Sequence, residues 1–285
     1  MKKIQDLLMC PECKSGLSET LKCEKCGSEF AYEQGVFDVV SPKALCNQEW
    51  QWEITDEMLQ NEVETARKKA EDDADIKAYN AYKNKETLEA QKIHREYMEY
   101  LIEGFSGMVC DLSTGMGSNL QKMLNAKNKD FSIVCTDIDK RVLMLTRKLK
   151  QTDDNRVFYI ATDGRSMSIK DNSFDYITSL AALGNIPDSD KVVRELYRML
   201  KPKGKILIQG GYIEKGSKSF ELAQSKGLER GLVEEYLING LKAAGFENIV
   251  STIVAEAIWA ENPYDLLPVA GDTQRYCIIQ AERTS

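Results

Sequence analysis

The sequence is poor in several things, and each shortage narrows the reading. No stretch of its 285 residues approaches the roughly 18–20 consecutive apolar residues of a membrane-crossing helix. The opening MKKIQDLLMC has two lysines before a few apolar residues. Asp6 interrupts it, and the apolar part falls short of the about 7–15 residues of an export signal, so a cytoplasmic protein is expected. Histidine is nearly missing: His94 is the only one, and any imidazole base would have to be that residue. An excess of positive charge is also lacking. The net charge is −7, and residues 44–103, with 15 acidic and 8 basic side chains, account for all of it. A chain of this kind has no basic footprint for nucleic acid, and neither DNA nor a membrane is expected as a partner. No internal repeat is visible.

Cysteine, by contrast, is concentrated. Four of the eight cysteines lie in the first 26 residues as Cys10-x-x-Cys13 and Cys23-x-x-Cys26. In a cytoplasmic chain this spacing reads as two knuckles around one tetrahedral zinc. With all four ligands supplied by thiolates the site is closed, hence structural, and replaces the core that a module of about 40 residues cannot build. Of the rest, Cys46 is isolated. Cys110, Cys135 and Cys277 fall in apolar runs and are expected to be small buried hydrophobes.

Three regions follow. Residues 1–42 form the ribbon, closed by Pro42. Residues 43–104 contain almost no glycine or proline and read as a helical connecting segment or lid, in which Trp50 and Trp52 pack. The run ETARKKAEDDADIK has little apolar stripe and is expected to be solvated. In the following stretch Leu88, Ile93, Tyr97, Leu101 and Phe105 recur at roughly helical spacing and predict a packed amphipathic helix. From residue 105 to 285, strand-like runs alternate with helical ones. That pattern predicts an α/β, Rossmann-like, doubly wound and mostly parallel sheet whose ligand binds beyond the carboxyl ends of the strands.

The segment VCDLSTGMGSN leads from a strand into a helix. Its Gly115 and Gly117 permit a tight turn and close ligand approach. Asp111, Asp137 and Asp163 end three successive strands, each 26 residues after the last. Burying unpaired carboxylates is costly, so three of them facing one crevice point to a ligand. A dinucleotide would bring a pyrophosphate, which Asp111 repels, and Leu120 stands where the third glycine of G-x-G-x-x-G belongs. S-adenosylmethionine carries a sulfonium and an ammonium instead. Asp111 suits its methionine end, Asp137 its ribose hydroxyls and Asp163, beside Gly164, its adenine.

At these residues the chain resembles a known family. DLSTGMGSNL, CTDIDKRVL, ATDGRSMSIKDNSFDYITS and RELYRMLKPKGKILI are similar, in order and spacing, to the motifs of class I S-adenosylmethionine-dependent methyltransferases, in particular the type 11 branch. The resemblance covers about residues 107–210. It implies a cofactor shell of Asp111, Ser113, Thr114, Gly115, Gly117, Asn119, Asp137, Ile138, Asp163, Gly164, Ser179 and Leu180. Ser113 replaces the usual first glycine and Lys203 a glycine of the later turn; the first change is expected to be tolerated and the second to be neutral. The N-terminal ribbon resembles that of ribosomal-RNA guanine-N1 methyltransferases, where it helps to bind RNA, although Cys26 stands where that family commonly has histidine.

The acceptor is less marked. Amino-group methylation of DNA or glutamine usually shows an Asn-Pro-Pro-Tyr motif, and cytosine C5 methylation a Pro-Cys loop; TSLAALGNIP has neither. A small-molecule acceptor is favoured over RNA by the acidic charge. A ribosomal- or transfer-RNA base methyltransferase and a non-enzymatic S-adenosylmethionine-binding protein are the alternatives. The acceptor pocket is expected between the helical segment, residues 179–185, the GGYIEKG loop and the EAIWAENPYDLLP insertion, shaped by Tyr212, Trp259 and Tyr264. His94 and Tyr212 are the candidate catalytic residues.

Overall fold

The computed structural model describes residues 2–44, 53–150 and 154–284. Cys46, Trp50 and Trp52 lie outside them. The N-terminal module starts with a short helix, α1 (Lys2–Gln5), and then turns twice in the same way. In the first knuckle the Lys14 N–H donates to the Cys10 carbonyl at 2.9 Å and the Cys10 N–H to the Ser15 carbonyl at 2.8 Å. In the second, Gly27 donates to Cys23 and Cys23 to Ser28, both at 2.8 Å. The residue after each second cysteine is left-handed, Lys14 at φ 58° and Gly27 at φ 78°. A hairpin follows, β1 (Ala31–Glu33) and β2 (Val36–Asp38).

The connecting segment is helical: α2 (Asp56–Gln60), α3 (Glu62–Ala81) and α4 (Lys85–Ile102). Thr55, Asn61 and Asn84 cap their starts by accepting backbone N–H groups. No residue of α3 is buried, in keeping with its missing apolar stripe. The packed face of α4 is the expected one in its second half, where Tyr97 and Leu101 pack against the core, but differs in its first. Its buried residues are Thr87, Ala90, His94, Met98 and Ile102, whereas Leu88 and Ile93 are exposed; Phe105 is buried beyond the helix end. Both stripes recur every three to four residues. The small Thr87 and Ala90 let the helix approach the late strands closely, which bulkier Leu88 and Ile93 would prevent.

From Gly107 the chain alternates: β3 (Gly107–Leu112), α5 (Ser118–Asn125), β4 (Phe131–Asp137), α6 (Lys140–Leu149), β5 (Val157–Ala161), β6 (Phe174–Leu180), α7 (Ser189–Met199) and β7 (Leu200–Ile213). Then come α8 (Lys218–Ser225), α9 (Glu229–Leu232), α10 (Glu234–Ala244), β8 (Glu247–Ile258) and β9 (Thr273–Glu282). The sheet order is β1-β2-β5-β4-β3-β6-β7-β9-β8. Strands β2 to β7 pair in parallel, and β9 lies antiparallel between β7 and β8. This is the α/β, Rossmann-like methyltransferase fold. Cys110, Cys135 and Cys277 are buried. No described helix is long and apolar enough to cross a membrane.

The module of the knuckles is continuous with this sheet. β2 runs beside β5, and Val39 donates to the Ala161 carbonyl at 3.0 Å. Met9 donates to Ser168, Lys170 to Leu7, and the Ser168 hydroxyl to Val39. Lys14 Nζ reaches Ser166 Oγ at 2.8 Å. The segment after β5 is thus stitched to the cysteine module from both sides.

Asp175, in the stretch NSFDYITS, has a structural task. Asp175 Oδ2 accepts from the Met108 N–H at 2.8 Å and from Lys201 Nζ at 2.7 Å, tying the start of β3 to the irregular first residues of β7. There Lys203 sits at φ 67°. The glycine it replaces would adopt this conformation freely, so the change is not neutral: a side chain there costs about 1 kcal/mol. Lys203→Gly is expected to stabilise the protein by about 0.5–1 kcal/mol in denaturant unfolding; a loss of stability would show that the turn is not strained.

Candidate active site

The carboxyl ends of β3, β4 and β5 bring Asp111, Asp137 and Asp163 to one edge of the sheet. Asp111 is buried. Asn119, on the first turn of α5, donates from Nδ2 to Asp111 Oδ1 at 2.8 Å and to Thr178 Oγ1 at 3.2 Å. Asp111 Oδ2, Asn119 Oδ1 and Ser179 Oγ are buried without a partner. Burial pushes the Asp111 carboxyl up to about 6, against the opposing pull of Asn119 and Thr114.

The loop is held by its own backbone. Thr114 donates to the Thr136 carbonyl at 2.7 Å, and Gly117 to Thr114 at 2.9 Å. Thr146 Oγ1 donates to the Gly115 carbonyl at 2.7 Å. Three residues are left-handed: Ser113 at φ 50°, Gly115 at 52° and Gly117 at 77°. A Cβ on Gly117 would meet Thr146 at 2.8 Å, whereas one on Gly115 would meet nothing within 4 Å. Gly117 is thus required for packing, and Gly115 leaves open room for a ligand. Ser113 carries the αL cost that the usual glycine avoids.

Asp137 accepts from the N–H groups of Gly115 (3.0 Å) and Asp139 (3.2 Å), and burial raises its carboxyl above the usual range. Its neighbour Ile138 borders a hollow of 340 Å³ between α6 and the cysteine module. Asp163 is engaged in a way the spacing did not reveal. Arg165 grips it with Nε and Nη2, each at 3.0 Å, and with its backbone N–H at 2.9 Å. The third acid therefore meets the crevice as half of an ion pair, with Gly164 behind it against Leu112.

A second space, of 770 Å³, opens from the ends of β6 and β7. Its walls include Gln91 and His94 of α4, Leu180, Gly210, Trp259 and Tyr276. Tyr264 is not among its lining residues; it is exposed and packs edge-on against Tyr79 and Tyr82. Tyr212 borders an adjoining hollow of 210 Å³. Both candidate bases are held neutral. His94 Nε2 donates to the Cys277 carbonyl at 2.8 Å, and burial pushes its pKa down to about 4. Burial pushes the Tyr212 phenol far above its usual range, and its hydroxyl has no partner. Lys122 and Gln209 also line this space. Neither stands out in the sequence, because a lysine on a helix next to a strand glutamine has no diagnostic spacing.

At the cysteine module, the four thiols gather with all Sγ atoms within 4.8 Å of one another. Cys10 and Cys26 are 3.5 Å apart, Cys13 and Cys23 3.4 Å. Four thiolates at about 2.3 Å from one tetrahedral ion have a similar mutual spacing.

The raised Asp111 carboxyl makes a signed prediction for the ligand-free protein. Its folded-state value lies above the unfolded one, so its stabilising contribution is present below about pH 4 and is lost as pH rises through 6. Asp111→Asn removes that loss and should gain up to about 3 kcal/mol relative to wild type between pH 4 and 8, read by unfolding at each pH. Parallel pH curves for both proteins would show that Asp111 is not desolvated. Ser113→Gly should raise stability by about 0.5–1 kcal/mol while leaving cofactor affinity equal or better.

Residues 110–208 match the family model of the methyltransferase domain. Over 113 residues the chain is 31% identical to the ubiquinone/menaquinone biosynthesis C-methyltransferase of Rickettsia typhi, covering 37% of this chain and 45% of that protein. Over 114 residues it is 33% identical to phosphoethanolamine N-methyltransferase 2 of Caenorhabditis elegans, covering 38% and 25%. The chain thus spans less than half the length of these relatives. Haemonchus contortus phosphoethanolamine N-methyltransferase 2, solved with S-adenosyl-L-methionine, superimposes with a TM-score of 0.52 at 19% identity, over 81% of this chain and 60% of that one. The fold and the matched segment agree: residues 110–208 match a methyltransferase-domain model, and the sheet has the class I methyltransferase architecture.

Proposed function

We propose that the protein transfers a methyl group from S-adenosylmethionine to a small-molecule acceptor. The observation that carries this reading is the buried carboxylate edge of the sheet. Asp111 Oδ2, Asn119 Oδ1 and Ser179 Oγ are buried acceptors without donors, which suits a ligand that brings ammonium and sulfonium charge. Asp137 lies one strand over for the ribose, and Asp163, Gly164 and Ile138 border the place for the adenine. Relatives named for ubiquinone/menaquinone biosynthesis and for phosphoethanolamine support a small acceptor.

S-adenosylmethionine, when bound, would supply an electrophilic methyl group, with the thioether S-adenosylhomocysteine as leaving group. The chain's own residues then align and enclose. Asn119 fixes Asp111, and the Thr114–Thr136 bond fixes the loop, so the carboxylate need not reorganise. The 770 Å³ space has the size of a small-molecule pocket. α4, Trp259 and Tyr276 form part of its wall. His94, poorly basic at neutral pH, serves as a fixed part of that wall, and alignment contributes more than proton removal.

The four cysteines would hold one structural zinc, which ties the two knuckles together. Since the module is bonded to Ala161 and to residues 166–170, on either side of Asp163, the metal would also steady the adenine side.

Three measurements test this. Calorimetry should show S-adenosylmethionine binding to wild type and a loss of about 1–3 kcal/mol in Asp137→Ala; equal affinities would mean that the ladder is misread. Labelled methyl should enter the small-molecule fraction of a cell extract. Label confined to RNA would replace the acceptor class, and binding without any label would indicate a non-enzymatic binding protein. Metal analysis should find one zinc per chain, and its removal by a chelator should lower both the melting temperature and cofactor affinity. An unchanged affinity would uncouple the module from the crevice.

A further inference from the structure

Lys122 is the least expected group in the acceptor space. It lies on α5, one turn beyond Asn119, and is only 8% exposed. Its Nζ donates to Gln209 Oε1 at 2.8 Å. The Gln209 amide is itself oriented, because its Nε2 donates to the His94 carbonyl at 3.0 Å. Gln209 therefore aims a neutral oxygen at the ammonium and holds it in place. No carboxylate forms an ion pair with Lys122 among the described residues; Glu99 and Asp111 attract it only from a distance. Among the described residues, Gln209 is the acceptor that Lys122 Nζ reaches.

A buried ammonium with a single neutral partner is costly unless something else meets the charge. The space it lines also holds the Arg95 guanidinium and the Trp259 indole, whose N–H is buried and unpartnered. Lys83 lines it too, clear of any ion pair among the described residues and bonded to Asn80 and Gln91 through neutral oxygens. Against these stand Glu99 and Asp265. Among the lining side chains, the three cations Lys83, Arg95 and Lys122 outnumber the two carboxylates, although Asp265 Oδ2 is itself buried without a partner.

We propose that the methyl acceptor carries an oxyanion, a carboxylate or phosphate group, which Lys122 binds in the 770 Å³ space. The proposal rests on the methyltransferase reading and names the substrate class within it. The carboxylate of the cofactor is the other oxyanion at hand. The acceptor is the better match, since of the expected cofactor shell only Leu180 lines this space and none of Asp111, Asp137, Asp163, Gly115 and Gly117 does, whereas α4 and Trp259 do. Lys122 is thus a specificity residue on the acceptor side of the cofactor crevice.

The test uses the full zinc-loaded chain, labelled S-adenosylmethionine and an acid-soluble extract split on an anion exchanger. Wild type should label the retained, anionic fraction. Lys122→Met should lower transfer at limiting acceptor by about 30-fold or more, with cofactor affinity within about threefold of wild type. Lys122→Arg, which keeps the cation, should recover most of the activity, a rescue that a purely structural role would not give. Label in the unretained fraction, with Lys122→Met as active as wild type, overturns the proposal. A tenfold loss of cofactor affinity in Lys122→Met overturns it as well, by assigning the lysine to the cofactor's own carboxylate. Cofactor binding with no label in any fraction defeats the transferase reading itself, together with this one.

Discussion

The structure is organised around a carboxylate that it buries at a cost. Asp111 stands at the end of the central strand β3, clamped on one oxygen by Asn119 and left unpartnered on the other. Holding it there constrains everything nearby. The chain must turn immediately afterwards, which forces Ser113, Gly115 and Gly117 into left-handed conformations. Thr114 must cross to β4 to stop the loop from relaxing, and α5 must start where its first turn can deliver Asn119. The unfavourable terms, desolvation and αL strain, sit together at the place where a ligand would offset them. Strain and buried polarity concentrated in this way mark a functional edge rather than a stable core.

Elements outside the parallel sheet divide the remaining work. The cysteine module extends the sheet beyond β5 and braces the segment carrying Asp163. On the other side, α4 and the β8–β9 arm enclose the second space and leave the carboxylates outside it. The two liganding regions differ in charge sense. The Asp111 edge leaves buried acceptors unpartnered and suits a cation, while the neighbouring space is lined by more cations (Lys83, Arg95 and Lys122) than carboxylates. A methyl transfer between a sulfonium and an anionic acceptor would use both, each charge being met by a separate, fixed set of groups.

Much of this was legible in the sequence because it is periodic or compositional. The 26-residue repeat of Asp111, Asp137 and Asp163 follows from one strand-helix unit per acid. The alternation after Gly107 could hardly form anything but a parallel sheet. Two Cys-x-x-Cys pairs with nine residues between them specify a pair of similar knuckles. What stayed hidden depends on which neighbour arrives. The choice between two apolar stripes on α4 was settled by the close approach of β8 and β9, which favours Thr87 and Ala90 over Leu88 and Ile93. The pairing of Arg165 with Asp163 is local, yet it competes with a ligand role and no spacing rule flags it. The left-handed turn at Lys203 was invisible because lysine does not advertise φ. Lys122 and Gln209 meet across a helix-strand contact whose partners are 87 positions apart.

The central claim is that the buried acid edge exists to receive a cation. It is tested most directly by proton release on cofactor binding, measured by calorimetry near pH 6 in buffers of different ionisation enthalpy. Without ligand, Asp111 titrates near pH 6 because it is desolvated. A sulfonium and an ammonium placed beside it favour the carboxylate, so binding should expel protons, and the release should shrink in Asp111→Asn. Binding that takes up protons, or releases the same number in wild type and Asp111→Asn, would contradict the account.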